Sequence, residues 1–290
     1  MYIKIKLNKG ITICCVMLIL LIAFSTLYSG FYPKTVTTGV TQGVQLPVIM
    51  YHGILADTKL QGDYVISPTQ FEEDLKELKN RGYTTVTIGE IVDHVYNGKK
   101  LPQKPVVLTF DDGYYNNYLY AYPLLKKYAC KGVISPIAYY SEQYSKCDEA
   151  VSPSYSHCTW LQLKEMQESG CVEIQNHSYN MHSQGERLGI QQQKGESDNV
   201  YKQLLIDDIS KAQTLIKDNV KHTPIAFTYP FGVMSKISEE TIKALGFKCS
   251  LICEERTNTI TKDKESLYML GRYLRTDKMT SKEIVDKLEN

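Results

Sequence analysis

The feature of this sequence that most limits the possible folds is a regular alternation of short apolar runs with capped helical stretches. Val106–Phe110 and Val172–His177 have the apolar, β-branched character of buried strands. Ser67–Gln70 and Thr159–Gln162 are capping signals that begin helices. Alternation of this kind predicts an α/β protein with a parallel sheet and crossover helices, and about seven such units predict a closed or nearly closed barrel.

The N-terminal residues are predicted to lie outside the folded domain. A basic flank of lysines precedes Ile11–Tyr28, eighteen residues without a charged side chain. This pattern indicates either a retained membrane-spanning helix or a cleavable signal peptide. In both cases the basic flank predicts that the following chain is extracellular, anchored to the cell membrane or secreted. The predicted organisation is a signal anchor or signal peptide over 1–29, a polar linker over 30–45 and a folded domain over 46–290.

Charge and aromatic composition narrow the class of partner. The chain has 33 Lys and Arg against 32 Asp and Glu, for a net charge of +1. The basic residues are interspersed with acids, which does not suit a nucleic-acid surface. There are 22 tyrosines and seven phenylalanines. Tyrosine suits wet clefts that hold sugars, or half-exposed packing. A monomer is assumed.

Export would place the cysteines of the domain in a compartment that permits disulfides. Cys147 and Cys158 bracket a polar, tyrosine-rich loop, and the sequence predicts a bridge between them. No Cys-x-x-Cys pattern typical of zinc sites is present. Other cysteines lie beside predicted element ends and are predicted to be small buried residues: Cys130, Cys171 and Cys249.

Candidate functional residues recur where the predicted strands end. His52, the Asp111–Asp112 pair, His177 and Pro230 each follow an apolar run. Neighbouring side chains on a strand point to opposite faces, so the two acids can share a site only at a strand end, where Gly113 loosens the geometry. In parallel barrels the functional residues lie at this edge. The alternative is a simple polar Asp-Gly turn.

Two imidazoles lie five residues apart, at His177 and His182. This spacing fits neither one helix face nor one strand face, so the pair must lie on a shaped loop. Two histidines and one carboxylate form a metal site with open positions for water and substrate. The alternative is two unrelated surface histidines. The remaining histidines are predicted at the surface (His94, His157) and at a helix end (His222).

Thr109–Gly113 and Asn176–His182 resemble the first two motifs of the polysaccharide deacetylases with a NodB-homology domain, a family of carbohydrate esterases. Tyr229-Pro230-Phe231-Gly232 is similar to that family's groove segment, and the resemblance covers about Leu46 to Asn290. It implies a distorted (β/α)7 barrel that removes N-acetyl groups from an N-acetylhexosamine polymer.

The resemblance also implies roles for individual residues. Asp112, His177 and His182 would bind a divalent metal, usually zinc, although cobalt, nickel or iron suit the same ligands. Asp111 would be the general base on metal-bound water. A backbone N–H near Tyr229 would help to hold the oxyanion. The expected substrate-binding and oxyanion segment is Tyr229, Pro230 and Phe231.

Three departures from the usual family pattern point to one subgroup. The histidine pair is five apart instead of four, Thr228 lies near the usual arginine position, and no histidine follows His222. All three are similar to exported poly-N-acetylglucosamine deacetylases, in which an N-terminal Met-Tyr-His segment supplies the general acid. Met50-Tyr51-His52 matches that segment. Arg272 is predicted to orient Asp111, or else to be a surface arginine.

Three functions therefore remain open at the level of sequence. The first is a metal-dependent deacetylase of a cell-surface or extracellular N-acetylglucosamine polymer, either peptidoglycan or poly-N-acetylglucosamine. The second is a catalytically inactive sugar-binding surface protein, which the altered third motif suggests. The third keeps the chemistry but acts on O-acetyl esters or on a small cyclic amide.

Overall fold

Short strands alternate with helices in the computed structural model, which describes residues 43–147 and 151–289. The strands are β1 (Val44–Leu46), β2 (Val48–Tyr51), β3 (Gly53–Ile54), β4 (Val65–Ile66), β5 (Thr84–Thr85), β6 (Pro105–Asp112), β7 (Gly132–Pro136), β8 (Val172–Ile174), β9 (Ala226–Thr228), β10 (Cys249–Leu251), β11 (Asn258–Ile260) and β12 (Tyr273–Leu274). The helices are α1 (Pro68–Asn80), α2 (Ile88–Asn97), α3 (Tyr122–Lys127), α4 (Ala138–Tyr144), α5 (Trp160–Glu168), α6 (Asp198–Val220), α7 (Lys236–Ala244) and α8 (Ser281–Glu289). Single turns of 3-10 or π helix lie at Thr58–Leu60, Asn117–Ala121, Pro230–Gly232 and Lys264–Leu267.

The central sheet is parallel. Its strand order is β12-β2-β6-β7-β8, and β5 also pairs with β6. β9 and β10 form a second parallel pair. Isolated parallel bridges join Asn176 to Phe227 and Leu251 to Leu270, so pairing continues from the end of β8 to β9 and from β10 towards β12. The predicted α/β class is confirmed, whereas closure into a seven-unit barrel stays a prediction.

Helices α1 and α5 begin at the predicted capping signals, and α2 begins with a third capping box. Ser67, Thr159 and Thr87 each accept a hydrogen bond from the backbone N–H three residues on, and the side chain of that third residue accepts one from the backbone N–H of the capping residue. These reciprocal bonds satisfy N–H groups that a helix end leaves without partners. Before β12, Met269 has a φ of 57°, which interrupts the extended backbone between Leu267 and Tyr273.

The predicted signal anchor or signal peptide, 1–29, lies outside the described residues, as does most of the predicted linker. Val44 and Gln45 fall within the predicted linker, but they belong to β1. This strand pairs with β11. Over 43–147 and 151–289, no helix combines the length and the apolarity that crossing a bilayer requires.

The predicted bridge between Cys147 and Cys158 is wrong. Both thiols are free, as are the other four cysteines of the described residues. Cys147 is exposed, whereas Cys158 is buried and its thiol donates to the Tyr114 carbonyl at 3.3 Å. Burial raises the pKa of Cys158 to about 12, so this thiol stays protonated. Cys158 is therefore a small core residue beside the strand-end turn.

A buried ion pair joins α1 to the segment after β12. Asp74 accepts two hydrogen bonds from Arg275, at 2.8 and 2.9 Å, and a third from the Tyr51 hydroxyl at 3.1 Å. Both charged side chains are fully buried. Removing one member of such a pair leaves the other charge buried without compensation.

We expect Asp74→Ala to lower the free energy of unfolding by about 3–5 kcal/mol in urea denaturation, because Arg275 loses its partner. Glu73→Ala is the matched control, since Glu73 is exposed and next in sequence; its effect should stay within about 0.5 kcal/mol. Equal effects of the two substitutions would contradict the structural role of this pair.

Candidate metal centre and cleft

β6 ends in the two acids, and its backbone turns sharply there. Asp112 and Gly113 have φ values of 67° and 73°, both in the left-handed region. A Cβ added at Gly113 would lie 2.7 Å from the Pro136 Cβ and 2.9 Å from its Cα. Only glycine fits between this turn and the end of β7. The turn frees Asp111 and Asp112 from strand geometry, so both can face one cleft.

Three side chains converge beside this turn. The Nε2 atoms of His177 and His182 lie 3.5 and 3.3 Å from Asp112 Oδ1. One donor atom from each of these residues falls within 4.8 Å of the others. His177 Nδ1 lies 2.8 Å from the Thr228 carbonyl oxygen, which only accepts, so Nδ1 carries the proton and the Nε2 lone pair is free.

The buried Asp112 carboxylate is the clearest sign of a ligand. Its Oδ1 atom has no hydrogen-bond donor among residues 43–147 and 151–289. A buried carboxylate oxygen without a partner is costly, and a divalent cation would satisfy it. Two imidazoles and one carboxylate are the ligands of open zinc sites. The three predicted ligands, Asp112, His177 and His182, therefore fit a divalent metal.

Two of the three residues are in the protonation state that cation binding requires. Burial lowers the pKa of His182 to about 4, so this ring is neutral near pH 7. Burial raises the pKa of Asp112, but the nearby His177 and His182 outweigh burial, and the net shift is downward. Burial lowers the pKa of His177, but Asp112 and Asp111 outweigh it and raise it overall. A proton on His177 thus competes with a metal ion, and affinity should rise with pH.

Asp111 is held by a buried arginine. Arg272 Nη1 donates to Asp111 Oδ1 at 2.7 Å, and Nη2 donates to Oδ2 at 2.9 Å. The guanidinium is itself fixed by the Ile252 carbonyl and Thr109 Oγ1. Burial raises the pKa of Asp111, but the charge of Arg272 and the neighbouring His177 outweigh burial, so the net shift of the pKa is downward. Asp111 is consequently ionised and oriented, without being one of the clustered metal ligands.

His52 completes the group at the end of β2. Its Nε2 lies 4.0 Å from Asp111 Oδ2, and its ring contacts Tyr64 edge-on with centroids 4.9 Å apart. Burial lowers the pKa of His52, opposed by the charges of Asp111 and Asp112. The side chains predicted from separate strand ends therefore lie at one site.

The segment after β9 is only partly as predicted. Tyr229 is buried, and its backbone N–H donates to the Leu251 carbonyl at 2.9 Å, so that N–H is not free to bind an oxyanion. Pro230 is buried and has no N–H. Phe231 has a φ of 56°, and its ring lies 4.4 Å from that of His182. Phe231 is therefore the member of this segment that faces the cleft.

The cleft has a volume of about 930 Å³ and includes residues that the sequence did not identify. Exposed apolar side chains at its rim are Leu60, Tyr64 and Leu188. His157 was predicted at the surface but is buried, stacked on Tyr140 at 4.4 Å and 4.8 Å from Tyr114. His157 is buried because residues 156–158 pair antiparallel with residues 113–115, and this pairing places the His157 ring against Tyr114.

We expect Gly113→Ala to weaken Zn²⁺ binding and to lower the free energy of unfolding by at least about 2 kcal/mol, because a Cβ combines left-handed strain with a clash against Pro136. Gly98→Ala is the control, since Gly98 has a similar φ of 71° but open space around its Cβ. It should cost about 1–2 kcal/mol and leave Zn²⁺ affinity unchanged. Equal Zn²⁺ affinity in the two variants would contradict the role of this turn.

Comparison with known proteins places the chain among the deacetylases. A model of the polysaccharide deacetylase family matches residues 98–250. An Escherichia coli K12 poly-β-1,6-N-acetyl-D-glucosamine N-deacetylase is 28% identical over 218 residues, covering 69% of this chain and 32% of that protein. A Staphylococcus aureus protein of the same name is 28% identical over 199 residues, covering 68% of this chain and 64% of that protein.

A solved de-N-acetylase from Aggregatibacter actinomycetemcomitans has a TM-score of 0.72 and 27% identity, and the match covers 84% of this chain and 99% of that chain. The chain spans about a third of the length of the Escherichia coli relative and just under two thirds of the Staphylococcus aureus one. The family model spans more than half of the 290 residues and includes the motifs that carry the acids and the histidine pair. The chain belongs to the polysaccharide deacetylase family.

Proposed function

We propose that this protein is a metal-dependent hydrolase that removes N-acetyl groups from a poly-N-acetylglucosamine type of polysaccharide. The observation that carries the proposal is the convergence of Asp112, His177 and His182 beside the Arg272-bound carboxylate of Asp111. The convergence supplies a cation site, and Asp111 supplies a separate ionised acceptor. Together with the family, this favours hydrolysis over simple sugar binding.

A divalent ion held by the three ligands would polarise the acetamide carbonyl and lower the pKa of a water molecule. Asp111 then acts as the general base and accepts the proton of the attacking water. Arg272 keeps this carboxylate ionised and fixes both of its oxygens, so the acceptor is oriented before substrate binds.

His52 is proposed as the general acid that protonates the departing amine. Burial lowers the pKa of His52, which makes its protonated form a stronger acid. Asp111 Oδ2, 4.0 Å from His52 Nε2, is close enough to stabilise the charged ring. We assign the oxyanion contact to the backbone N–H of Phe231, because the Tyr229 N–H is bound to Leu251.

The cleft supports a sugar polymer as substrate. Tyr64 and Phe231 present aromatic surface in the cleft, one ring beside His52 and the other beside His182, and Leu60 and Leu188 extend the apolar rim. Flat apolar rings of this kind suit the faces of sugar rings. We further propose a monomer with a barrel closed through the Asn176–Phe227 and Leu251–Leu270 bridges. Residues 1–29 would anchor it outside the cell or direct its secretion.

The test is acetate release from a panel of acetylated polymers, measured with Zn²⁺ and again after chelation. We expect release from β-1,6-linked N-acetylglucosamine oligomers that stops on chelation and returns with Zn²⁺. Binding of these oligomers without acetate release would favour the sugar-binding alternative. Release from acetylated xylan alone would favour an O-acetyl esterase. Either of the last two results would overturn the proposal.

A further inference from the structure

The loop between the two clustered histidines needs a support of its own. His177 is fixed directly, since its ring bonds to the Thr228 carbonyl. His182 lies five residues on, and its ring packs against His177 and Phe231 with centroids 4.8 and 4.4 Å away. The position of His182 therefore depends on the path of the intervening backbone, which turns through Ser178 at a φ of 76°.

Helix α6 binds the backbone of this loop through the Asp208 carboxylate. Asp208 Oδ1 accepts the Tyr179 N–H at 2.7 Å, and Asp208 Oδ2 accepts the Asn180 N–H at 2.8 Å. Both carboxylate oxygens are used on consecutive N–H groups between the histidines. Hydrogen bonds to an ionised acceptor are shorter and stronger than neutral ones. Leu205 and Ile209, on the same helix, are fully buried, so the position of Asp208 is fixed by the core.

The first residues of α4 bind carbonyl groups of the same loop. The N–H groups of Ala138 and Tyr139 donate to the Ser178 and Tyr179 carbonyls at 3.1 and 2.9 Å. Two carbonyl groups of the loop, those of Ser178 and Tyr179, thus accept from α4, and two of its N–H groups, those of Tyr179 and Asn180, donate to Asp208. The backbone between the histidines is clamped from two elements that pack on each other in the fold.

We propose that Asp208 is a positioning residue of the metal centre, which sets the loop so that His182 meets Asp112 and His177. This inference rests on the metal site of the proposed function. Asp208 acts through the backbone of Tyr179 and Asn180, and it is not one of the clustered ligands. It gives a physical reason why a five-residue spacing can converge on one ion.

Asp208→Asn tests the proposal, with Asp207→Asn as its matched control. Asparagine keeps one acceptor oxygen but turns an NH2 group towards a backbone donor. Asp207 is the neighbouring residue on α6, is exposed and accepts a hydrogen bond from Gln203, so it controls for the lost charge. We expect Asp208→Asn to bind Zn²⁺ about 10- to 100-fold more weakly in competition with a chromophoric chelator. Asp207→Asn should bind as the unchanged protein does.

Two further readouts separate positioning from general structural loss. Acetate release by Asp208→Asn should recover at saturating Zn²⁺, and the visible spectrum of its Co²⁺ form should differ from that of Asp207→Asn. In the unchanged protein, the Tyr179 and Asn180 amides should exchange hydrogen slowly, a measurement that needs no variant. Equal Zn²⁺ affinity of the two variants, or rapid exchange of both amides, would overturn the inference. An unchanged protein that bound no Zn²⁺ would overturn the proposed function itself.

Discussion

Asp112→Asn is expected to lower Zn²⁺ affinity by more than about 100-fold and to remove acetate release at ordinary Zn²⁺ concentrations. The reason is that Asp112 is the only carboxylate of the three-residue cluster, and its Oδ1 lies closest to both imidazoles. Loss of a residue that merely supports a metal ligand costs about 10- to 100-fold, so loss of a charged ligand should cost more. Isothermal titration with Zn²⁺ and an acetate assay measure the two effects.

The control for Asp112→Asn is Glu255→Gln, which removes a negative charge from the wall of the same cleft but not from the cluster. Its Zn²⁺ affinity should match that of the unchanged protein. If both substitutions weakened Zn²⁺ binding equally, the cluster would be acting only through its overall charge. If neither did, the ion would bind elsewhere.

Asp111→Asn is expected to separate catalysis from metal binding. The variant should retain one equivalent of Zn²⁺, because Asp111 is outside the ligand cluster. Its turnover should fall by about 10²- to 10⁴-fold, since an amide cannot accept the proton of the attacking water. The variant should also be less stable by about 3–5 kcal/mol, because Arg272 is left buried without a charged partner. Metal content, acetate release and urea denaturation report these three effects.

Asp74→Asn provides the matched control for that loss of stability. It breaks a second fully buried pair, with Arg275, whose side chains are not among those lining the cleft. Turnover per folded molecule should therefore be unchanged in Asp74→Asn. Similar losses of turnover in the two variants would mean that Asp111 acts only by holding the fold together.

The strand ends of this protein could be predicted from sequence because local rules determine them. A buried apolar run that stops at Asp-Asp-Gly must place its acids at the end of a strand, and capping boxes at Ser67 and Thr159 fix where two helices begin. The parallel arrangement then follows from alternation, which brings the carboxyl ends of the strands to one edge. For this reason the convergence of Asp112 with the histidine pair could be predicted from the sequence.

The contacts that tune the site could not be predicted in the same way, because they join distant segments. Arg272 is 161 positions from Asp111, and the sequence left two alternatives for it, a partner of Asp111 or a surface arginine, because no local pattern distinguishes them. The burial of His157 depends on the pairing of its segment with the turn after Asp112, which is a tertiary property. For Cys147 and Cys158, a shared loop indicated a bridge, but one thiol is exposed and the other is buried.

The central claim is that one divalent ion, bound by Asp112, His177 and His182, is required for hydrolysis. The most direct measurement is acetate release from β-1,6-linked N-acetylglucosamine oligomers by metal-stripped protein during titration with Zn²⁺. We predict that activity is absent at the start and rises to a plateau at one equivalent. Full acetate release by the stripped protein in the presence of excess chelator would contradict the account.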